Sequence, residues 1–267
     1  MSTKNIPISE SILGFPISAS PFSDQISLII HWGQEKISRV VCVANVHMLM
    51  EARWNPSFAE VLHSADLITP DGMPLVWMMN LLRHCTHDRV AGMDIFREVC
   101  QRASVIGLKV YFLGTDASTL AKMRQRLRQE FPTLQIAGMA PLPFRPLTPE
   151  EDQDVIATIN DSQAGIVFLA LGCPKQEIWM HQHREQIQAV MVGLGGVFPV
   201  YAGIVKHAPQ WVRASGLEWF YRLRQEPLRL WKRYSRTIPP FVFLSLKQVL
   251  ASRVSRTAER TLHSRKV

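Results

Sequence analysis

Three short segments of this 267-residue chain place reactive or ligand-binding side chains directly after an apolar run. The most informative is Ile166-Val-Phe-Leu-Ala-Leu-Gly172-Cys-Pro174-Lys175-Gln176-Glu177. Apolar residues lead into a glycine, a proline follows, and polar side chains open a helix. In an α/β protein this layout sets Lys175, Gln176 and Glu177 at the carboxyl end of a strand, where open parallel sheets bind ligands. A second segment, Leu67-Ile-Thr-Pro70-Asp71-Gly72, holds a carboxylate at a strand end, a position suited to moving a proton. Pro-Asp-Gly is also an ordinary turn sequence. A third, Val190-Met-Val-Gly193-Leu-Gly195-Gly196-Val-Phe-Pro199, has the glycines that let a backbone approach a phosphate closely, although glycine serves any tight turn. Three such strand ends read as one active-site rim.

The elements that must hold this rim follow from periodicity and punctuation. Residues 5–20 alternate loosely around Gly14 and Pro16 and predict a short hairpin. Helical spacing covers 22–37, a buried strand 39–45, and a helix 48–62 that Pro56 interrupts or divides. A short strand at 67–70 precedes apolar helices at 74–82 and 92–106. The strand 109–114 ends on Gly114, and Asp116 caps a helix that runs to Phe131. A strand at 134–138 and a proline-rich loop follow, and Thr148-Pro-Glu-Glu151 starts a helix in capping-box style. Strands at 165–171 and 189–194 flank a helix at 176–188. This βαβα alternation predicts a Rossmann-like, doubly wound, mostly parallel α/β sheet.

From Pro209 the chain changes character. Trp211, Leu217, Trp219, Phe220, Tyr221 and Leu223 recur at helix-compatible spacing, with Arg222 and Arg224 among them. Residues 228–236 form a basic amphipathic helix that Pro239-Pro240 is expected to break. The apolar run 241–246 is too short to span a bilayer but could lie in its surface. Two units are therefore expected, a catalytic body at 1–205 and a basic helical appendage at 206–267.

Composition agrees. The chain is 47% hydrophobic, enough for one large core or two small ones. Its cysteines, Cys42, Cys85, Cys100 and Cys173, have no C-x-x-C spacing and read as reduced thiols, with no disulfide framework and no zinc site. The N-terminus lacks the apolar stretch of a signal peptide. No run of about 18 apolar residues predicts a transmembrane helix. Residues 206–267 hold 14 Lys/Arg against 3 Asp/Glu, a net +11, so the other 205 residues carry −3 of the total +8. Such an appendage seeks an anionic surface: phospholipid, nucleic acid or a diphosphate substrate.

The ordered set Ala44-Asn45-Val46-His47, Thr69-Pro70-Asp71-Gly72-Met73, Arg89-Val-Ala-Gly92-Met-Asp94, Leu171 through Glu177, Gly193 through Phe198, Tyr201-Ala-Gly203 and Ala208-Pro-Gln-Trp211 through Arg222 resembles the WecG/TagA/CpsF family of bacterial glycosyltransferases. The likeness covers roughly residues 8–235. It implies transfer of a sugar from a UDP-sugar, with inversion, to a polyprenyl-diphosphate-linked acceptor. The implied location is the cytoplasmic face of the bacterial inner membrane, bound peripherally to its anionic surface through the appendage. The products feed cell-surface polysaccharides and exopolysaccharides.

By that resemblance Asp71 is the base that takes the acceptor proton, with His47 the runner-up because it titrates near neutral pH. Gln176 is expected to contact sugar hydroxyls or donor phosphate, and Lys175 the diphosphate. Glu177 could do the same, or could be only a first-turn acid favoured by the helix dipole. Asn45, Gly72, Arg89 and Gly172 join the binding set. Gly195 and Gly196 offer backbone contact to the nucleotide, and Tyr201 stacks on uracil or fills the core. Asp94 is read as a helix cap. Arg213, Arg222, Arg224, Arg229 and Arg233 are candidates to stabilise departing UDP. Two of the five are expected in the site, with Arg222 and Arg224 entered in the binding set. No cofactor and no catalytic metal are expected.

The chain departs from the family pattern at Val43, where a threonine is frequent, and at Pro199, where an aspartate is frequent. Roles for those two groups are not carried over. The sugar stays open among N-acetylmannosamine, N-acetylmannosaminuronic acid and glucose, with a lean toward exopolysaccharide-type members. Oligomeric state is open too. Two other classes compete. An NAD(P)-dependent oxidoreductase would want G-x-G-x-x-G after the first strand followed by an acidic residue about 20 positions on, and that pattern is absent. A basic nucleic-acid-binding protein would account for the tail but not for the three rims.

Overall fold

The computed structural model describes residues 8–83, 86–143 and 145–264. Residues 5–7 of the expected hairpin, Cys85 and the last three residues of the appendage lie outside them. The hairpin is present as β1 (Ser9–Ile12) and β2 (Phe15–Ser18), paired antiparallel around Gly14 at φ 98°. It packs against the body as a separate two-stranded sheet.

The main sheet has six strands: β3 (Arg39–Ala44), β4 (Leu67–Pro70), β5 (Val110–Gly114), β6 (Ile136–Ala140), β7 (Ile166–Ala170) and β8 (Val190–Gly193). Their order is β4-β3-β8-β7-β5-β6, and every pair is parallel. The central strands are apolar throughout because both faces are covered. Side chains alternate between two cores. Val40, Cys42 and Ala44 enter one with Val167 and Leu169, whereas Val41 and Val43 enter the other with Ile166 and Phe168.

The first core is closed by α2 (Val46–Trp54), α3 (Pro56–Ser64), α4 (Met73–Arg83), α7 (Pro149–Asp161) and α8 (Lys175–Gln182). The second is closed by α1 (Phe22–Gln34), α5 (Gly92–Ile106), α6 (Ala117–Glu130) and α9 (Val197–Tyr201). Rings from three elements meet there, with Phe96 5.3 Å from Phe168 and Phe112 5.7 Å from Phe168. The caps fall where the sequence puts them. Asp116 accepts from the Thr119 amide, and Thr148 and Glu151 form a reciprocal capping box. Pro56 stands at the first turn of α3, and Asn55 accepts from Phe58, so one expected helix is two.

Three expectations change. Helix α8 stops at Gln182 rather than running to 188, because Glu185 adopts a left-handed backbone (φ 72°) and donates to Ser38 Oγ, which turns the chain early. Asp94 is not a cap. The residue before α5 is Ala91, with no side-chain bond, and Asp94 instead faces Arg213 at 3.9 Å. Pro239-Pro240 do not break the last helix. After α10 (Gln210–Ala214) and α11 (Glu218–Gln225), α12 runs from Pro227 to Ser264 with both prolines inside. Each proline costs about 3 kcal/mol in a free helix. Here tertiary packing overrides that cost, since Leu230, Phe241 and Val249 are buried and α12 lies against α2 and α4. No helix among the described residues is long and apolar enough to cross a membrane.

Candidate active site

Strands β3 and β8 are neighbours, yet the chain leaves them toward opposite faces, into α2 and α9. A crevice must open where connections diverge, and ligands bind there. The cleft at this point has a volume of ≈ 430 Å³. Strands β4, β3, β8 and β7 are contiguous, so the three glycine-bearing strand ends converge as one rim, with Asn45 in their midst.

Asp71 follows the edge strand β4, where Pro70 deprives no neighbour of a ladder bond. Its amide donates to the Ala44 carbonyl at 2.9 Å, which stitches the rim of β4 to that of β3. Its side chain is 31% exposed and lines the cleft. Desolvation pushes its pKa up to about 6, against the pull of Arg89, whose Nε lies 3.6 Å away, and of the Gly92 amide that donates to it. That amide belongs to the first turn of α5, so the ionised form keeps a helix N-terminus as partner. Arg89 is shared. Its Nη2 lies 2.8 Å from Glu218 Oε2, and this ion pair ties α11 to the rim.

Gln176 is 5% exposed and clasps two loops. Its Oε1 accepts from the amides of Gly172 (3.2 Å) and Gly195 (3.1 Å). Its Nε2 donates to Glu177 Oε1 at 2.8 Å. A side chain at Gly195 would come within 2.7 Å of that Oε1 and 2.9 Å of the Gly172 nitrogen, so only glycine fits. The Gly195 amide is thus occupied by Gln176, and Gly196 faces the Arg222 guanidinium instead. Glu177 is fully buried beneath this clasp, and burial raises its pKa to about 6 despite the Gln176 bond. Cys42 and Cys173 lie near it, both thiols pushed up by burial.

Among the expected binding residues, Asp71, Asn45, Arg89, Gly172, Gln176, Gly195, Gly196 and Arg222 line the cleft. Asn45 also caps α2, accepting from Met48 at 3.2 Å. Gly72 packs against Asn45 just behind the wall. The others lie elsewhere. Tyr201 is 1% exposed, packs on Phe96 with ring centres 4.6 Å apart, and donates to Glu130, so it is a core aromatic rather than a stacking platform. His47 sits off the cleft beside Glu51, Arg233 and Arg236, and its pKa is lowered to about 4 by burial and then by the two arginines. Lys175 opens α8 without reaching the cleft lining. Arg224 points into a different, apolar groove. Among the five tail arginines, Arg222, Arg229 and Arg233 reach the cleft, and Arg213 pairs with Asp94.

Sequence reasoning missed Glu218 and His207, which line the cleft. Glu218 looks like any first-turn acid, and only its ion pair with Arg89 reveals it. His207 is held below its ordinary pKa by burial and then Arg213. Asp152-Gln153-Asp154 is an Asp-x-Asp spacing of a kind that could hold a cation. It lies on α7, away from the cleft, and Asp152 is engaged by Trp179 Nε1 (3.2 Å) and His183 Nε2 (2.7 Å). No cluster of three metal-binding side chains occurs among the described residues.

Fold and cleft define an open parallel α/β protein with a polar, arginine-walled site at its switch point. The chain belongs to the glycosyl transferase WecG/TagA/CpsF family, whose model matches residues 10–255. It is 37% identical over 213 residues to an N-acetylglucosaminyldiphosphoundecaprenol N-acetyl-beta-D-mannosaminyltransferase of Bacillus spizizenii, covering 79% of this chain and 80% of the relative. A protein of the same name from Bacillus subtilis is 33% identical over 220 residues, covering 82% and 83%.

Proposed function

We propose that this protein transfers a sugar, of the N-acetylhexosamine type, from a UDP-sugar to a saccharide linked to polyprenyl diphosphate, with inversion at the anomeric carbon. The observation that carries this reading is that Asp71 lines the same cleft as Arg222, Arg229 and Arg233. Inverting transfer needs a base at the attacking hydroxyl and positive charge at the leaving diphosphate. Residues suited to both requirements line one space, which supports this reading.

In this reading the acceptor hydroxyl attacks the anomeric carbon as Asp71 takes its proton. The bond from that carbon to the UDP oxygen breaks, and Arg222 receives the developing charge. A pKa near 6 leaves Asp71 ionised at neutral pH yet more basic than an ordinary aspartate. His47 is a weaker choice, being less basic and outside the cleft. The relatives' names specify a β-linked product on a diphosphoundecaprenol acceptor. An α-linked donor giving such a product inverts. An acceptor of that kind is anchored in a bilayer, which fits peripheral binding of the basic appendage at the cytoplasmic face of the bacterial inner membrane.

Isothermal titration with UDP, followed by turnover of UDP-N-acetylmannosamine on an N-acetylglucosaminyl diphosphate lipid, tests the assignment. Binding and a β-linked disaccharide product are expected. No affinity for UDP would overturn it.

A further inference from the structure

Helix α11 buries none of its residues, and its exposed apolar side faces the first turns of α12. Between them lies a groove of ≈ 450 Å³ lined by Phe220, Leu223, Leu228 and Trp231, with Arg224 and Lys232 among its walls. Leu228 is 94% exposed, Trp231 67% and Phe220 50%. The groove is adjacent to the catalytic cleft through the same helical turns. On α12, Leu228, Trp231 and Lys232 occupy one face at i, i+3 and i+4, while Arg229 and Arg233 occupy the next and enter the cleft. On α11, Phe220, Leu223 and Arg224 face the groove, whereas Glu218 and Arg222 face the cleft.

We propose that this groove binds the diphosphate-proximal isoprene units of the lipid acceptor, while Arg229 and Arg233 hold the diphosphate itself. The occupant follows from the layout. A ligand spanning both faces of α12 must join a strongly anionic head directly to an apolar chain, without a polar spacer. An isoprenoid diphosphate has that chemistry. The arrangement rests on the sugar-transfer reading and adds to it a seat for the chain, so that the protein recognises its lipid rather than only the bilayer around it. Burying one large apolar side chain against a prenyl chain changes affinity by about tenfold or more.

The test uses the full chain in detergent-free buffer, with farnesyl diphosphate as probe, inorganic diphosphate as its chainless counterpart, and UDP as a check on the cleft. Farnesyl diphosphate is expected to bind at least about tenfold more tightly than inorganic diphosphate. Trp231→Ala and Leu228→Ala, both at exposed positions, are expected to erase that advantage while UDP affinity stays unchanged. Equal affinity for the two diphosphates would overturn the proposal, as would variants that bind farnesyl diphosphate like the parent. Sedimentation with phosphatidylglycerol vesicles separates the two sources of apolar chain. Loss of vesicle binding in the variants with farnesyl diphosphate binding intact would mean that the groove takes bilayer acyl chains, and the proposal falls. Absent UDP binding would sink the sugar-transfer reading alone, because the farnesyl comparison stands without it.

Discussion

The side-chain amide of Gln176 donates to the buried carboxylate of Glu177 at 2.8 Å, and this bond fixes which way the amide points. An ionised carboxylate only accepts, so Nε2 must face it and Oε1 must face the Gly172 and Gly195 amides. A pair of neighbours in sequence thereby joins the ends of β7 and β8.

Removing Glu177 should therefore loosen both loops. Glu177→Leu leaves a buried Nε2 without its partner, a loss of about 1–3 kcal/mol. Urea denaturation should show that drop together with weakened UDP binding, while Glu177→Gln, which still offers an acceptor oxygen, should recover most of both. If Leu and Gln variants behave alike, the clasp does not position the loops.

Glu177 also predicts a pH signature. Its pKa in the fold is about 6, above the ordinary 4.5, so the folded chain binds this proton more tightly than the unfolded chain. Its contribution is full below about pH 4.5 and is lost as pH rises through about 6, a change of about 2 kcal/mol. The stability difference between parent and Glu177→Gln should fall by that order between about pH 4 and about pH 8. A flat difference would contradict the assignment.

Asp71→Asn should keep UDP binding while turnover falls at least about a hundredfold. In the parent, kcat/KM should rise with pH through about 6 as the carboxylate ionises, and the variant should lose that limb. Full turnover in the variant would move the base elsewhere.

Arg222 and Arg224 are two residues apart but face different spaces. Arg222→Ala should lower kcat by about 10²–10³, the usual effect of losing one donor at a developing anion. Arg224→Ala should leave UDP affinity unchanged. Calorimetry and steady-state rates on both variants decide it, and equal losses would refute the division between cleft and groove.

Cutting the chain after Gly203 removes Glu218, Arg222, Arg229 and Arg233, all of which line the cleft. The truncated protein should lose most turnover and its binding to anionic vesicles. A truncated form that keeps both would show that the appendage is dispensable.

The sequence alone determined the alternation of strands and helices, because apolar runs bounded by glycine, proline and capping residues are local signals. Asp116 and Thr148 act within three residues of themselves, and the structure keeps each. Asp71 and Gln176 were visible because strand-end loops are where parallel sheets expose chemistry. Strand order was not legible. That β8 inserts between β3 and β7 is a pairing of distant segments, and it alone brings the three glycine rims together. The separation of Arg222 from Arg224, the burial of Tyr201, the lowered pKa of His47 and the partnership of Arg89 with Glu218 depend equally on contacts far apart in the chain. Pro239 and Pro240 show the limit most plainly. Local rules end a helix there, and packing of α12 on α2 and α4 carries it through, because buried apolar area from a distant segment outweighs two missing backbone donors.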